Sequence, residues 1–152
     1  TMSKKMLILY GTETGNSELL AMDADKLAQD NDFDTTVNGM DEVTVDDLKG
    51  HDNLIVICST WGDGEQPDNA IDLYEATVDA DDGCLGGLNF AVLALGDTAF
   101  DLFCEAGIQW DDVLEQKGGN RINDRIDCDT DYDDEAEEWL EETIGLFVDN
   151  GA

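Results

Sequence analysis

An open α/β sandwich, with five parallel strands in the order 2-1-3-4-5 doubly wound by helices on both faces, is the fold class this sequence predicts from three observations. Apolar runs of strand length recur at Met6 to Tyr10, Leu54 to Cys58 and Phe90 to Leu95, and the middle one shows no polar alternation, as in a strand buried on both faces. Helix-period patterns separate these runs, so strands and helices take turns along the chain. Each run ends in a loop where such a sheet collects its ligands.

The first strand spans about Lys5 to Tyr10, and after Gly11 to Ser17 a helix carrying Leu19, Leu20, Met22, Leu27 and Ala28 reaches about Gln29. A weaker strand around Asp34 to Asn38 leads into the polar stretch Asp41 to Asn53, read as a short helix plus loop, and then into Leu54 to Cys58. Ser59 to Gln66 feeds a helix starting near Pro67 and Asp68, with Ile71, Leu73, Tyr74 and Val78 as its apolar contacts. Phe90 to Leu95 is the fourth strand. Gly96 to Thr98 opens a loop, and Leu102 to Gln116 is a helix closed by Gly118 and Gly119. Ile122 to Cys128 makes a fifth strand and Asp133 to Val148 a last helix.

With 152 residues, 41% of them hydrophobic, the chain suits one domain over residues 2–150. Seven Lys and Arg against 38 Asp and Glu give a net charge of -31, which argues against nucleic acid and against an anionic membrane, since both need cationic neutralisation. The apolar runs fall short of the ~20 residues of a membrane span, and no secretory signal pattern opens the chain. A cytoplasmic, monomeric protein is expected. Cys58, Cys84, Cys104 and Cys128 show no C-x-x-C spacing and mostly sit in or beside apolar segments, as small hydrophobes in a reducing compartment do. His51 lies in a polar stretch without a nameable catalytic partner and reads as a solvated loop residue.

Three strand-to-helix loops carry the chemistry. Gly11-Thr12-Glu13-Thr14-Gly15-Asn16-Ser17 packs hydroxyls and an amide between glycines at a helix N-terminus, where unpaired N–H groups and the dipole favour an anion. It lacks the Lys of a G-x-x-x-x-G-K-[ST] loop and the third glycine of a G-x-G-x-x-G turn. That makes it a phosphate cradle, with a plain helix cap through Thr14 or Asn16 as the alternative. In Ser59-Thr60-Trp61-Gly62-Asp63-Gly64, Trp61 has no periodic packing role but could cover a flat ring. Phe100, in Gly96-Asp97-Thr98-Ala99-Phe100, stands in a similar place, so two aromatics at neighbouring strand ends could hold a planar heterocycle.

Those three loops, continued through Glu-Gln-Pro-Asp-Asn after Gly64 and bounded by Leu95 and by Asp-Leu-Phe-Cys ending at Cys104, carry a resemblance. The whole chain resembles the flavodoxins of the short-chain type, and within them the FMN-binding domains of diflavin reductases such as sulfite reductase and cytochrome reductase. The resemblance implies FMN as cofactor, with Thr12, Glu13, Thr14, Gly15, Asn16 and Ser17 on its phosphate, Ser59 and Thr60 toward the ribityl chain, and Trp61 and Phe100 flanking the isoalloxazine. It implies that the backbone at Gly62, Asp97 and Cys104 meets the ring's polar edge, and it brings Gly64, Leu95, Gly96 and Phe103 into the same set. Ser17 stands where Thr is more usual and Phe100 where Tyr is usual.

The resemblance further implies a low-potential one-electron carrier working between redox proteins with basic docking faces, a flavodoxin reductase or diflavin and iron-sulfur partners. An FMN-dependent NAD(P)H:quinone-type oxidoreductase is the enzymatic alternative, because the fold alone does not exclude hydride chemistry. Phosphoacceptor receiver domains share the strand order, but here Gly11-Thr12 and Ser59-Thr60 stand where their acidic cluster and phosphorylated Asp would be. No metal site is expected. Asp127 to Asp133 with Glu138 imitates a calcium loop, yet Tyr132 falls where the sharp turn demands Gly. With 26 Asp among its acids, the chain carries more charge than docking needs, which suggests a salt-adapted source.

Overall fold

A computed structural model gives the fold and describes residues 4–12, 15–61 and 64–150. Strands β1 (Lys4–Gly11), β2 (Phe33–Gly39), β3 (Asn53–Ser59) and β4 (Asn89–Leu95) pair in parallel in the order β2-β1-β3-β4. Two short strands, β5 (Asn120–Arg121) and β6 (Ile126–Cys128), both pair with β4 and share the fifth position. The helices are α1 (Asn16–Asp30), α2 (Val45–Lys49), α3 (Ile71–Asp79), α4 (Glu105–Gln116) and α5 (Asp133–Asn150). Among the described residues no helix is long and apolar enough to cross a membrane.

Leu54–Cys58 is buried along its whole length because alternate side chains enter different cores. Ile55 and Ile57 pack with Met6, Ile8 and Leu93 under α1 and α5, where Ala21, Ala24, Leu140 and Ile144 meet them. Leu54, Val56 and Cys58 pack with Leu7, Leu9 and Val92 under α3 and α4, where Leu73, Trp110 and Leu114 close the layer. At the amino ends of the strands, Asn53 donates to the Lys5 carbonyl at 2.9 Å, Asn89 to Asn53 at 3.4 Å and Asn120 to Asn89 at 3.1 Å. This ladder satisfies backbone and amide groups along the edge opposite the loops.

Three elements differ from the sequence expectation by more than two residues or in continuity. The helix expected from Pro67 begins at Ile71, because Asn69 turns its side chain onto the Thr12 N–H and the Tyr10 carbonyl instead of joining a helical turn. This helix docks through Leu73, Thr77 and the half-buried Tyr74, leaving Ile71 and Val78 exposed. The helix expected from Leu102 begins at Glu105, because Cys104 adopts a left-handed conformation at φ 57°. The fifth strand, expected as one run, is split.

The split has a register cause. Asn120 and Arg121 face Asn89 and Phe90, whereas Ile126 faces Leu93, so four residues of the edge span two of β4 and must bulge. The bulge is tied down by the chain's only two arginines. Arg121 and Arg125 reach opposite oxygens of the buried Asp111 of α4 at 2.9 and 3.0 Å, while Arg121 also meets Glu115 at 2.6 Å and Arg125 meets Asp127 at 2.7 Å. Asp111→Ala leaves two guanidinium groups facing a cavity. We expect a loss of about 3 kcal/mol, at the low end for removing one partner of a buried pair because the arginines stay partly exposed. Urea unfolding measures it, and a change under about 0.5 kcal/mol, the usual range of a surface substitution, would assign the clamp no stabilising role.

Candidate functional site

All three loops emerge at the carboxyl edge of the sheet. In the first, the Thr12 Oγ1 accepts the Gly15 N–H at 2.8 Å, and Gly15 takes φ 94°, a conformation that strains any residue with a Cβ. The first N–H groups of α1 have no acceptor within the helix. Ser17, in the first turn of α1, is fully buried, and its Oγ finds no hydrogen-bond partner among the described residues. A buried hydroxyl left unpaired is costly unless a ligand completes it, and at a helix N-terminus the fitting ligand is an anion. Glu13 and Thr14 lie outside the described residues.

The second loop is braced against both neighbours. Ser59 Oγ donates to the Gly11 carbonyl at 3.2 Å and the Thr60 N–H to the Leu95 carbonyl at 3.0 Å. Trp61 and Glu65 exchange two backbone hydrogen bonds of 2.8 Å, closing a hairpin in which Gly64 sits at φ 107° against Leu102. Gly62 lies outside the described residues.

In the third loop, the Gly96 N–H donates to the Cys128 carbonyl at 2.9 Å, Phe100 N–H to the Asp97 carbonyl at 3.0 Å, and Thr98 donates its N–H and hydroxyl to Asp129 at 3.2 and 2.7 Å. Those Thr98 contacts, with the Thr130 N–H, hold the Asp129 carboxyl below the usual carboxylate range. Burial pushes the Cys104 and Cys128 thiols up to about 12, so both stay protonated, and Cys104 donates to the Cys128 carbonyl at 3.5 Å.

Between the second and third loops lies a cleft of about 280 Å³. Of the residues expected from the sequence, Asn16, Ser59, Thr60, Trp61, Leu95, Gly96, Asp97, Phe100 and Cys104 line it. Thr12, Gly15, Ser17, Gly64 and the half-buried Phe103 are not among its lining residues. Trp61 is 48% and Phe100 50% exposed, while no other aromatic among the described residues is exposed. Sequence reasoning missed Leu102, Asp129, Thr130 and Tyr132 in the lining. The last three follow the fifth strand and were legible by the same strand-end rule; their acidic neighbours drew attention to a cation instead. It also missed Asn69, which clamps the first loop from the turn before α3.

A parallel sheet whose rim sets a helix N-terminus suited to an anion near an aromatic-walled slot has the features required of a flavin-mononucleotide electron-transfer domain. The donors present fit that cofactor: an orphaned buried hydroxyl for its phosphate and two uncovered aromatics for its ring. Residues 8–142 match the family model described as Flavodoxin. The flavoprotein alpha-component of the NADPH sulfite reductase of Bacillus subtilis is 44% identical over 139 residues, covering 91% of this chain and 23% of that protein. Its counterpart in Vibrio parahaemolyticus is 33% identical over 141 residues, 93% of this chain and 23% of that protein. Among solved structures, the flavodoxin of Streptococcus pneumoniae TIGR4 superposes with a TM-score of 0.86 at 29% identity, covering 96% of this chain and 99% of that one. Oxidised Flavodoxin 2 of Bacillus cereus gives 0.84 at 28% identity, with coverage of 96% and 99%.

The chain belongs to the flavodoxin family and is an FMN-binding electron-carrier domain. It spans about a quarter of the length of the curated relatives it matches.

Ser17→Ala separates a ligand role from a capping role. Removing an unpaired buried hydroxyl should leave the melting temperature of the apoprotein unchanged or slightly raised. A hydrogen bond to a charged group contributes about 1.5 to 3 kcal/mol, so FMN affinity should fall about ten- to a hundredfold. Riboflavin, which has no phosphate, should bind as before. Equal losses for both flavins would take Ser17 off the phosphate.

Proposed function

We propose that this chain holds FMN noncovalently, with the phosphate in the loop Thr12–Ser17, the ribityl chain along Ser59 and Thr60, and the ring between Trp61 and Phe100. The half-exposed state of Trp61 and Phe100 carries the reading, because burying aromatic faces on a planar ligand removes apolar surface from water. Backbone groups at Gly62, Asp97 and Cys104 would hold the polar edge of the ring. Bound FMN supplies the one-electron chemistry. The chain's own part is to orient the ring, exclude water from its faces and set the local charge. Asp97 and Asp129 in the cleft lining, within a chain of net charge -31, disfavour added negative charge there and so lower the potential.

Its work is therefore to carry single electrons between partner redox proteins rather than to turn over a substrate itself. The relatives are named as flavoprotein components of sulfite reductase, which supports an oxidoreductase as one partner. The acid excess favours partners that dock through basic faces, because complementary charge raises encounter rates. The purified protein should be yellow, reducible in single-electron steps by light with a sacrificial donor, and should oxidise no nicotinamide when given a quinone. Steady oxidation of NADPH with quinone by this chain alone would favour an enzyme instead.

Trp61→Ala should weaken FMN binding by about the 0.5 to 1.5 kcal/mol of an aromatic pair plus lost burial, and Phe100→Ala should act in the same direction. Fluorescence titration of the apoprotein measures both, and unchanged affinity in both variants removes the stacking.

Self-repulsion at a charge of -31 opposes the compact state. Salt shortens the range of repulsion from about 10 Å at 0.1 M to about 3 Å at 1 M. Adaptation to high salt therefore predicts a melting temperature of the FMN-bound protein that rises up to roughly 2 M chloride, beyond that screening range, while reduction of a cationic acceptor slows. A flat or falling melting temperature leaves only the docking role for the acids.

A further inference from the structure

Trp61 is 48% exposed, so its own side chain does little to hold the hairpin that carries it. The two ends of the hairpin instead straddle one residue of α4. Thr60 Oγ1 accepts the Ala106 N–H at 3.0 Å, and Gln66 Nε2 donates to the Ala106 carbonyl at 3.0 Å. Gln66 directly follows Glu65, the residue bridged to Trp61.

Gln66 is an unusual core residue because it is only 8% exposed, yet both ends of its amide are engaged. Nε2 also donates to Gln109 Oε1 at 3.1 Å, and Oε1 accepts from Trp110 Nε1 at 3.0 Å and faces the Cys58 thiol at 3.6 Å. The amide therefore joins the foot of the hairpin to β3 and to two turns of α4. Cys104 and Leu102, which precede those turns, also line the cleft. A fully satisfied buried amide is stiff, because moving it breaks several hydrogen bonds in a low-dielectric setting.

We infer that Gln66 is a positioning residue that sets the distance and tilt of Trp61 across the slot by locking the hairpin to the start of α4. This rests on the reading that Trp61 stacks on the ring. A side chain that merely supported Trp110 would affect stability and leave the slot alone, whereas one that acts through Trp61 changes cofactor binding only while Trp61 is present.

A double-mutant cycle separates the two. Gln66→Met keeps the length and apolar volume of the side chain and removes its hydrogen bonds. FMN affinity is read by fluorescence titration in the native protein, Gln66→Met, Trp61→Ala and the double variant, together with the visible circular dichroism of the bound flavin. Gln66→Met should weaken FMN about two- to tenfold, the equivalent of losing an aromatic contact, and alter the dichroism. The double variant should bind no more weakly than Trp61→Ala alone. Affinity and dichroism unchanged in Gln66→Met, with only the melting temperature lowered, would overturn the inference and leave the stacking intact; so would strictly additive losses. An unaltered Trp61→Ala removes the stacking reading and the inference with it. If Gln66→Met does not fold, Gln109→Ala, at the half-buried end of the same network, carries the cycle with a smaller effect of the same pattern.

Discussion

Parallel pairing of β1, β3 and β4 is the interaction on which everything else depends, because it points every carboxyl end at one rim while burying both faces of the strands. Once Ile57 and Cys58 are committed to opposite cores, the chain from Ser59 to Trp61 leaves the cores and runs across the rim. There the backbone needs partners, and the loops supply them to each other. Ser59 holds Gly11, Thr60 holds Leu95, and Gly96 holds Cys128. The three loops thus form one braced frame.

That frame explains why some of the site was legible in the sequence and some was not. The first loop could be read because hydroxyls and glycines beside a helix start have a local purpose, visible without the fold. Trp61 and Phe100 could be read because neither fits a helical or strand period. Asn69 and Gln66 could not, since their partners lie 57 and 40 residues away and their types are ordinary in loops. Tyr132 and Asp129 were hidden by a different effect: a run of acids after a strand resembles a cation loop, and only the sheet shows that the run ends on the same rim.

The split fifth strand was equally hidden. Ile122 to Cys128 has the composition of one strand, and nothing local signals the two extra residues. What decides is a set of longer-range contacts. Trp139 of α5 donates to the Asp124 carbonyl, Asn123 donates to Thr143, and both arginines turn to Asp111. The consequence reaches the site, because β6 carries Cys128, whose carbonyl receives Gly96 and Cys104, and leads directly into Asp129. A clamp between α4 and the split fifth strand is therefore part of what fixes the third loop.

The distribution of positive charge constrains how an anionic cofactor can be held at all. Both arginines are spent on Asp111, Lys117 is buried against Asp82 and the Ala80 carbonyl, and Lys4 and Lys5 stand at the amino edge of the sheet. Among the described residues lining the cleft there is no Lys, Arg or His. Among the described residues, the donors that the proposed site offers a phosphate are neutral, among them the N–H groups of the first turn of α1 and the Ser17 hydroxyl. Neutral donors act over hydrogen-bond distances, whereas the repulsion from 38 carboxylates acts over the Debye length. Salt at moderate concentration therefore removes most of the opposing force and little of the attraction, the reverse of its effect on a phosphate site built from lysines. An acidic surface and a cation-poor cradle are consistent parts of one solution: at the proposed site, screening relieves the repulsion on the phosphate while the short-range hydrogen bonds of the cradle persist.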